Sequence, residues 1–151
     1  MSSARVSLET WLRSIGADRT AHSGRSLMAH LMGTFDILYR WGCAESTCLA
    51  GGLHSIYGTN IFARETLGSD DRAIVRARFG AEAEALAWLF GSIDRPTAIE
   101  LGYGVDRRCG CPVRLEDTEL YALRLIEAAN LLEQGGALGR WPNIRAAAAG
   151  R

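Results

Sequence analysis

The three histidines of this chain lie at positions 22, 30 and 54. Imidazole nitrogens bind transition metals, and they also act as acids and bases near neutral pH. His22 precedes a predicted helix, and His30 lies on that helix, eight residues after His22. Residues eight apart on a helix lie on about the same face. We therefore expect the three histidines, His54 included, to surround one buried site.

The second and third predicted helices bring two of these histidines together. His54 ends the third helix, and the short turn at Gly42 makes this helix an antiparallel neighbour of the one that carries His30. Imidazoles on facing helices are a common way to build a metal site in a helical protein. His30 and His54 are therefore candidate metal ligands, and iron, manganese, zinc and copper are the candidate ions.

The histidines alone leave two other interpretations open. In the first, a metal-free pocket uses them to bind substrate or to act as acid and base. In the second, they are core residues whose ring nitrogens are satisfied by hydrogen bonds, which is the usual role of a histidine on an apolar face.

The apolar spacing predicts an all-α fold of five or six helices, in a single domain over residues 1–151. Gly51 and Gly52 would let another helix approach the third helix closely. The region 91–113 is predicted as a long irregular loop with a short extended piece at Thr97–Leu101, and the tail from Arg145 is predicted to fray. The predicted helices span about residues 8–15, 26–41, 44–54, 70–79, 81–90 and 116–134.

The composition excludes several classes of protein. All 17 basic residues are arginine, so Schiff-base chemistry and a phosphate-binding P-loop lysine are excluded. The formal net charge of zero argues against a nucleic-acid binder. The sequence has no run of 18 apolar residues, so no membrane span is predicted, and its first residues do not read as an apolar signal core. We expect a cytoplasmic protein with mostly reduced cysteines, and its oligomeric state is left open.

Four segments resemble a known family when they are taken in order. They read SGRSLMAHL at 23–31, AGGLHSIYGT at 50–59, RARFGAEAEAL at 76–86 and LIEAANL at 125–131. Together they are similar to the (p)ppGpp hydrolase domain of RelA/SpoT-type enzymes, a branch of the HD-domain superfamily, over residues 20–134. The resemblance implies an HD-like helical bundle in which His30 and His54 stand at the two metal-binding histidine positions.

The chain departs from that family at its acidic positions. It carries H-S-x-Y-G-T where the hydrolases carry H-D-x-x-E-D-T, so Ser55 replaces an aspartate ligand, and Gly58 and Thr59 replace the acidic pair. A classical manganese-dependent (p)ppGpp hydrolase is therefore not expected. Glu127 lies near the position of the family's distant aspartate, and His22 lies close by, so we predict that these two residues complete the metal site.

The loop after His54 supplies the predicted catalytic groups. Tyr57 and Thr59 are placed to donate hydrogen bonds to a ligand or a proton in catalysis, although Thr59 also fits a simple turn. The residues predicted to contact substrate are Ser55, Asn130 and Arg25.

These features predict a small metal-dependent enzyme of divergent HD type that hydrolyses or oxidises a small molecule. The alternative is a catalytically inactive HD-like module that binds a nucleotide, another small ligand or a protein partner. A separate cluster, Cys109-Gly110-Cys111, offers too few ligands for structural zinc, so a redox or packing role is predicted for it.

Overall fold

The computed structural model describes residues 2–151, and most of them lie in α-helices, which confirms the all-α expectation. None of the helices in this range is long and apolar enough to span a bilayer. The helices are α1 (Ser3–Ser14), α2 (Leu27–Arg40), α3 (Glu45–Leu53), α4 (Arg72–Phe79), α5 (Ala81–Ser92), α6 (Thr97–Leu101), α7 (Asp117–Glu133) and α8 (Pro142–Ala148), and a 3₁₀ turn covers Ser69–Asp71. Two antiparallel hairpins pair β1 (Ala21–His22) with β2 (Arg25–Ser26), and β3 (Tyr103–Val105) with β4 (Pro112–Arg114).

Helix α2 forms the centre of the fold and carries His30. Its first turn is capped by Ser26, whose hydroxyl oxygen accepts the Ala29 backbone N–H at 3.1 Å. The chain leaves the helix through Gly42, at a φ of +70° that favours glycine. Its fully buried apolar residues recur every three or four positions and are Leu27, Leu31, Phe35 and Leu38.

Helix α3 packs closely against α1 and α2 because two of its residues have no side chain. A Cβ atom at Gly51 would collide with the Leu38 side chain of α2, and one at Gly52 would collide with Leu8 of α1. The predicted close approach is therefore present. It places His54, which follows the last residue of α3, beside α2.

Helix α7 closes the other side of the histidines. It is 17 residues long and lies against both α2 and α3. Glu127, Asn130 and Glu133 follow one another at intervals of three residues, so they fall on neighbouring positions of the helix surface. These polar groups therefore approach the histidines from a part of the chain distant in sequence.

The structure has eight α-helices in residues 2–151, where the sequence predicts five or six. The additional helices are α6 and α8. The extended piece predicted at Thr97–Leu101 is wrong, because this segment is helical and buries Ala98 and Ile99 in the core. The irregular loop predicted over 91–113 also contains the end of α5 and most of the β3–β4 hairpin.

The C-terminal segment is ordered by a carboxylate from α6. The two carboxylate oxygens of Glu100 accept the backbone N–H groups of Asn143 at 2.9 Å and Ile144 at 3.0 Å. These are first-turn amides of α8, which have no partner within their own helix. The tail from Arg145 is therefore helical as far as Ala148, in contrast to the predicted fraying.

Candidate functional site

The three histidines form what we call the histidine cluster, in which His30 contacts both His22 and His54. They come from β1, α2 and the end of α3, and His22, His30 and His54 are 7%, 0% and 1% exposed. The rings of His22 and His30 stack with centroids 4.2 Å apart, and the His54 ring meets the His30 ring edge-on at 4.9 Å. The structure thus brings the three predicted residues together.

The shortest contact in the cluster joins two ring nitrogens. His30 Nε2 lies 3.0 Å from His54 Nε2. A neutral imidazole has one N–H donor and one lone-pair acceptor, so the partners of the two Nδ1 atoms decide what each Nε2 carries.

Both Nδ1 atoms face hydrogen-bond acceptors. His54 Nδ1 donates to the Gly51 carbonyl oxygen at 2.6 Å, and His30 Nδ1 contacts a carboxylate oxygen of Glu133. Glu133 also forms an ion pair with Arg25, which favours its ionised, accepting form. When both rings are neutral, these partners place each proton on Nδ1 and leave a lone pair on each Nε2, so that two lone pairs face each other.

Burial favours the neutral form of both histidines. Burial lowers the pKa of His54 to about 3, and it also lowers the pKa of His30, where the charge of a protonated His54 would act in the same direction. The Glu133 carboxylate opposes this shift at His30. Two facing lone pairs repel each other, and a positively charged species between them removes the repulsion.

His22 contributes an unused nitrogen to the same cluster. Its Nδ1 is buried and has no hydrogen-bond partner within residues 2–151. The edge of its ring meets the Phe62 ring at 4.6 Å, and burial, followed by the charge of Arg25, lowers its pKa. A buried polar atom without a partner costs about 1–3 kcal/mol, which points to a ligand for this nitrogen.

The carboxylate predicted as a ligand has a different partner in the structure. Glu127 is fully buried and forms an ion pair with Arg95, whose Nε donates to its Oε2 at 2.6 Å. Asn130 donates to Glu127 at 3.4 Å. The charge of Arg95 lowers the pKa of His54, and a side-chain hydrogen bond with Asn130 raises it. The carboxylate that contacts a histidine is Glu133, two turns further along α7.

The predicted catalytic residues point elsewhere. The Tyr57 hydroxyl donates to Glu84 Oε1 of α5 at 3.2 Å, and the Thr59 hydroxyl oxygen accepts the backbone N–H groups of Ile61 and Phe62. Thr59 therefore has the turn role that its sequence also allowed. Ser55 is buried on the same loop.

Sequence reasoning missed two residues of this site, Glu133 and Arg95. Glu133 lies 103 residues from His30, and Arg95 lies 32 residues from Glu127. The spacing of Glu127, Asn130 and Glu133 on one helix was the only signal for Glu133, and no local pattern marked Arg95.

Two of the predicted ligand nitrogens, His30 Nε2 and His54 Nε2, lie close together. In residues 2–151 no group of three or more His, Cys, Asp or Glu side chains is arranged to hold a metal ion. The Nε2 atoms of His30 and His54 lie 3.0 Å apart, and the His22 ring stacks on the His30 ring.

Comparison with known proteins gives one family and no described activity. The model of a family described as Domain of unknown function (DUF6817) matches residues 11–95, more than half of the chain. The matched segment includes all three histidines and Arg95, and it ends before Glu133. No curated protein matches the chain. No solved structure matches it either.

Proposed function

The chain belongs to the DUF6817 family, a domain of unknown function, and we propose that it is a small metal-dependent enzyme of divergent HD type. Its metal ligands in this proposal are His30 and His54, and its substrate is a small molecule. One observation carries the proposal: the Nε2 atoms of two buried imidazoles lie 3.0 Å apart, and each ring turns its Nδ1 toward a hydrogen-bond acceptor.

The outer partners of these histidines support the metal interpretation. Histidines that bind a metal through one nitrogen almost always donate the other N–H to a carboxylate or a backbone carbonyl, which fixes the ring and the tautomer. His30 has the carboxylate of Glu133 and His54 has the carbonyl of Gly51. The separation of 3.0 Å allows both Nε2 atoms to lie about 2.0–2.1 Å from one ion.

His22 is the proposed third ligand. Its unpartnered Nδ1 is buried, and its ring already stacks on His30. Three neutral imidazoles suit zinc, copper, iron and manganese, and a site with three protein ligands leaves a position for substrate.

The bound ion would supply Lewis-acid or redox chemistry, and the surrounding side chains have separate tasks. Glu133 and Gly51 hold the Nδ1 protons, so that both Nε2 atoms remain available. Arg25 is 43% exposed at the rim, where its guanidinium can bind an anionic group of the substrate. Ser55, Gly58 and Thr59 replace the acidic residues of the RelA/SpoT-type hydrolases, so hydrolysis of (p)ppGpp by the mechanism of those enzymes is not part of the proposal.

A second candidate is a catalytically inactive HD-like module without metal. The burial of His30 and His54, at 0% and 1% exposed, favours it, because reactive groups need a path for substrate. In such a module a proton shared between the two Nε2 atoms would take the place of the ion.

Metal analysis of protein purified without a histidine tag separates the two candidates. We would measure iron, manganese, zinc and copper in the wild type, before and after incubation with each ion, and in the variants His30→Ala and His54→Ala. Thr34→Ala is the matched control, because Thr34 is also buried on α2, one turn further on, and carries no nitrogen ligand. Circular dichroism would show that each variant is folded.

We expect about one ion per chain in the wild type and in Thr34→Ala, and less than about a tenth of that in both histidine variants. His22→Ala is expected to weaken binding without abolishing it. Metal far below one ion per chain that neither His30→Ala nor His54→Ala changes would overturn the proposal and favour the metal-free module.

A further inference from the structure

The turn between β3 and β4 carries a second group of reactive side chains, separate from the three histidines. Cys109 and Cys111 are both exposed and are joined by a disulfide, with Cα atoms 5.3 Å apart. This differs from the expectation of mostly reduced cysteines. The other two cysteines are not exposed to the same degree, since Cys43 is half-buried and Cys48 is buried.

The backbone holds the two cysteines together whether or not the sulfurs are bonded. Asp106 N–H donates to the Cys111 carbonyl at 2.8 Å, and Gly110 N–H donates to the Asp106 carbonyl at 2.7 Å. Gly110 has a φ of +73°, a conformation that suits glycine in such a tight turn. The reduced thiols would therefore remain close enough to close the bond again.

The turn also stabilises negative charge on one sulfur. The backbone N–H of Cys111 donates to Cys109 Sγ at 3.3 Å. Arg107 and Arg108 precede Cys109, and both donate to the Tyr57 carbonyl oxygen, which fixes this side of the turn to the body of the protein. A backbone N–H donor stabilises a thiolate and makes it a better leaving group.

From this geometry we infer that Cys109 and Cys111 form a thiol–disulfide exchange site that accepts two electrons from a dithiol. A thiolate of the dithiol attacks Cys111 Sγ, the Cys109–Cys111 bond breaks, and Cys109 leaves as a thiolate that receives the Cys111 N–H. The second thiolate of the dithiol then attacks the first sulfur of the dithiol, which is bonded to Cys111 in the mixed disulfide, and Cys111 leaves as a thiolate. The dithiol is oxidised to a cyclic disulfide, and the two cysteines are reduced and take up the two protons.

The remaining cysteines give the exchange its selectivity. Burial raises the pKa of the Cys48 thiol to about 12 and also raises the pKa of Cys43. Thiolates are the reactive species in exchange, so these two residues are expected to stay outside the reaction at neutral pH.

A redox titration of the full chain tests the site. Wild-type protein is equilibrated with graded ratios of reduced and oxidised dithiothreitol, trapped with a maleimide, and analysed by intact mass and peptide mapping. We expect a reversible two-electron transition confined to the peptide with Cys109 and Cys111. It should disappear in Cys109→Ser, Cys111→Ser and the double variant, and persist in the control Cys43→Ser.

Two results would overturn the inference. One is a pair that stays fully reduced at every ratio. The other is a disulfide that dithiothreitol does not open while the chain is folded, since the bond would then be structural. The single variants test the assigned roles, because Cys109 in Cys111→Ser should react with an aromatic disulfide at least about threefold faster at pH 7 than Cys111 in Cys109→Ser.

Discussion

The histidine cluster and the two buried carboxylates that face arginines satisfy their polar atoms in different ways. Glu84 receives hydrogen bonds from Arg72, Arg76 and Tyr57, and Glu127 receives two from Arg95. The histidine cluster, in contrast, brings two Nε2 atoms within 3.0 Å of each other, and His22 Nδ1 has no hydrogen-bond partner within residues 2–151. Fully paired buried groups stabilise the fold, whereas an unpaired one needs a partner such as a water, an ion or a ligand.

Electrostatics makes the same distinction. Burial alone would raise the pKa of Glu84, but the hydrogen bonds from Arg72 and Arg76 hold it below its ordinary value. For His30 and His54, in contrast, burial is the largest influence, and it lowers the pKa of both. Glu84 is therefore held in its charged and paired form, whereas burial favours the neutral form of His30 and His54.

Arg95→Met should have the largest effect, because it removes the cation that pairs with the fully buried carboxylate of Glu127. Glu127 is 0% exposed and Arg95 is 7% exposed, so the remaining charge cannot reach water. We expect the free energy of unfolding to fall by about 3–5 kcal/mol, measured by urea denaturation.

The double variant Arg95→Met/Glu127→Leu provides the control. Replacing both partners of a buried ion pair by apolar groups is often neutral, so it should recover most of the lost stability. A double variant as unstable as the single one would show that Arg95 acts through other contacts, and the comparison with the histidines would lose one of its ion pairs.

Metal removal should have the next largest effect, and it should concern only the histidine cluster. A ligand present at 100 times its Kd stabilises the folded state by about 2.7 kcal/mol. We expect a chelator to lower the free energy of unfolding of the metal-loaded wild type by about this amount. His30→Ala should be insensitive to the chelator, and a wild type that is equally insensitive would contradict the proposed centre.

The pH dependence of the chelator-treated protein should separate neutral histidines from a shared proton. The pKa of His54 is about 3 in the folded chain and 6.5 ordinarily, so below pH 6.5 the unfolded chain binds a proton that the folded chain does not. Stability is therefore lost as pH falls, and His54 alone should cost about 2 kcal/mol between pH 7.5 and 5.

Urea denaturation across that range measures this slope, and His54→Gln should reduce it. Glu84 adds little to the slope in this range, because its pKa is lowered from 4.5 and the stability that it contributes is lost mainly below pH 4.5. A flat profile for the wild type would mean that the histidine pair already holds a proton at neutral pH, which would favour the metal-free module.

The sequence allowed the prediction of the parts of this site that depend on local pattern. The spacing of Leu27, Leu31, Phe35 and Leu38 set the face of α2, and the turn at Gly42 with the glycines of α3 set His30 against His54. These are interactions between neighbouring elements, which connect through a short turn and follow simple rules.

The parts that could not be predicted depend on contacts between distant residues. Glu133 contacts His30 from 103 residues further along the chain. Tyr57 donates to Glu84, which lies 27 residues further along the chain. The helix at Thr97–Leu101 buries its apolar residues in the core and places the Glu100 carboxylate where it accepts backbone N–H groups of α8. Tertiary contacts override local propensity in each case.

Tyr57→Phe should give the smallest effect. The variant keeps the ring that packs edge-on against Trp88 at 5.1 Å and removes only the hydroxyl that donates to Glu84. Glu84 retains both arginines, so we expect a loss of about 1 kcal/mol in the free energy of unfolding and an unchanged metal content. If Tyr57→Phe instead lowered the metal content as His30→Ala does, Tyr57 would act on the histidine cluster, and the loop after His54 would belong to the metal site rather than to the ion-paired network.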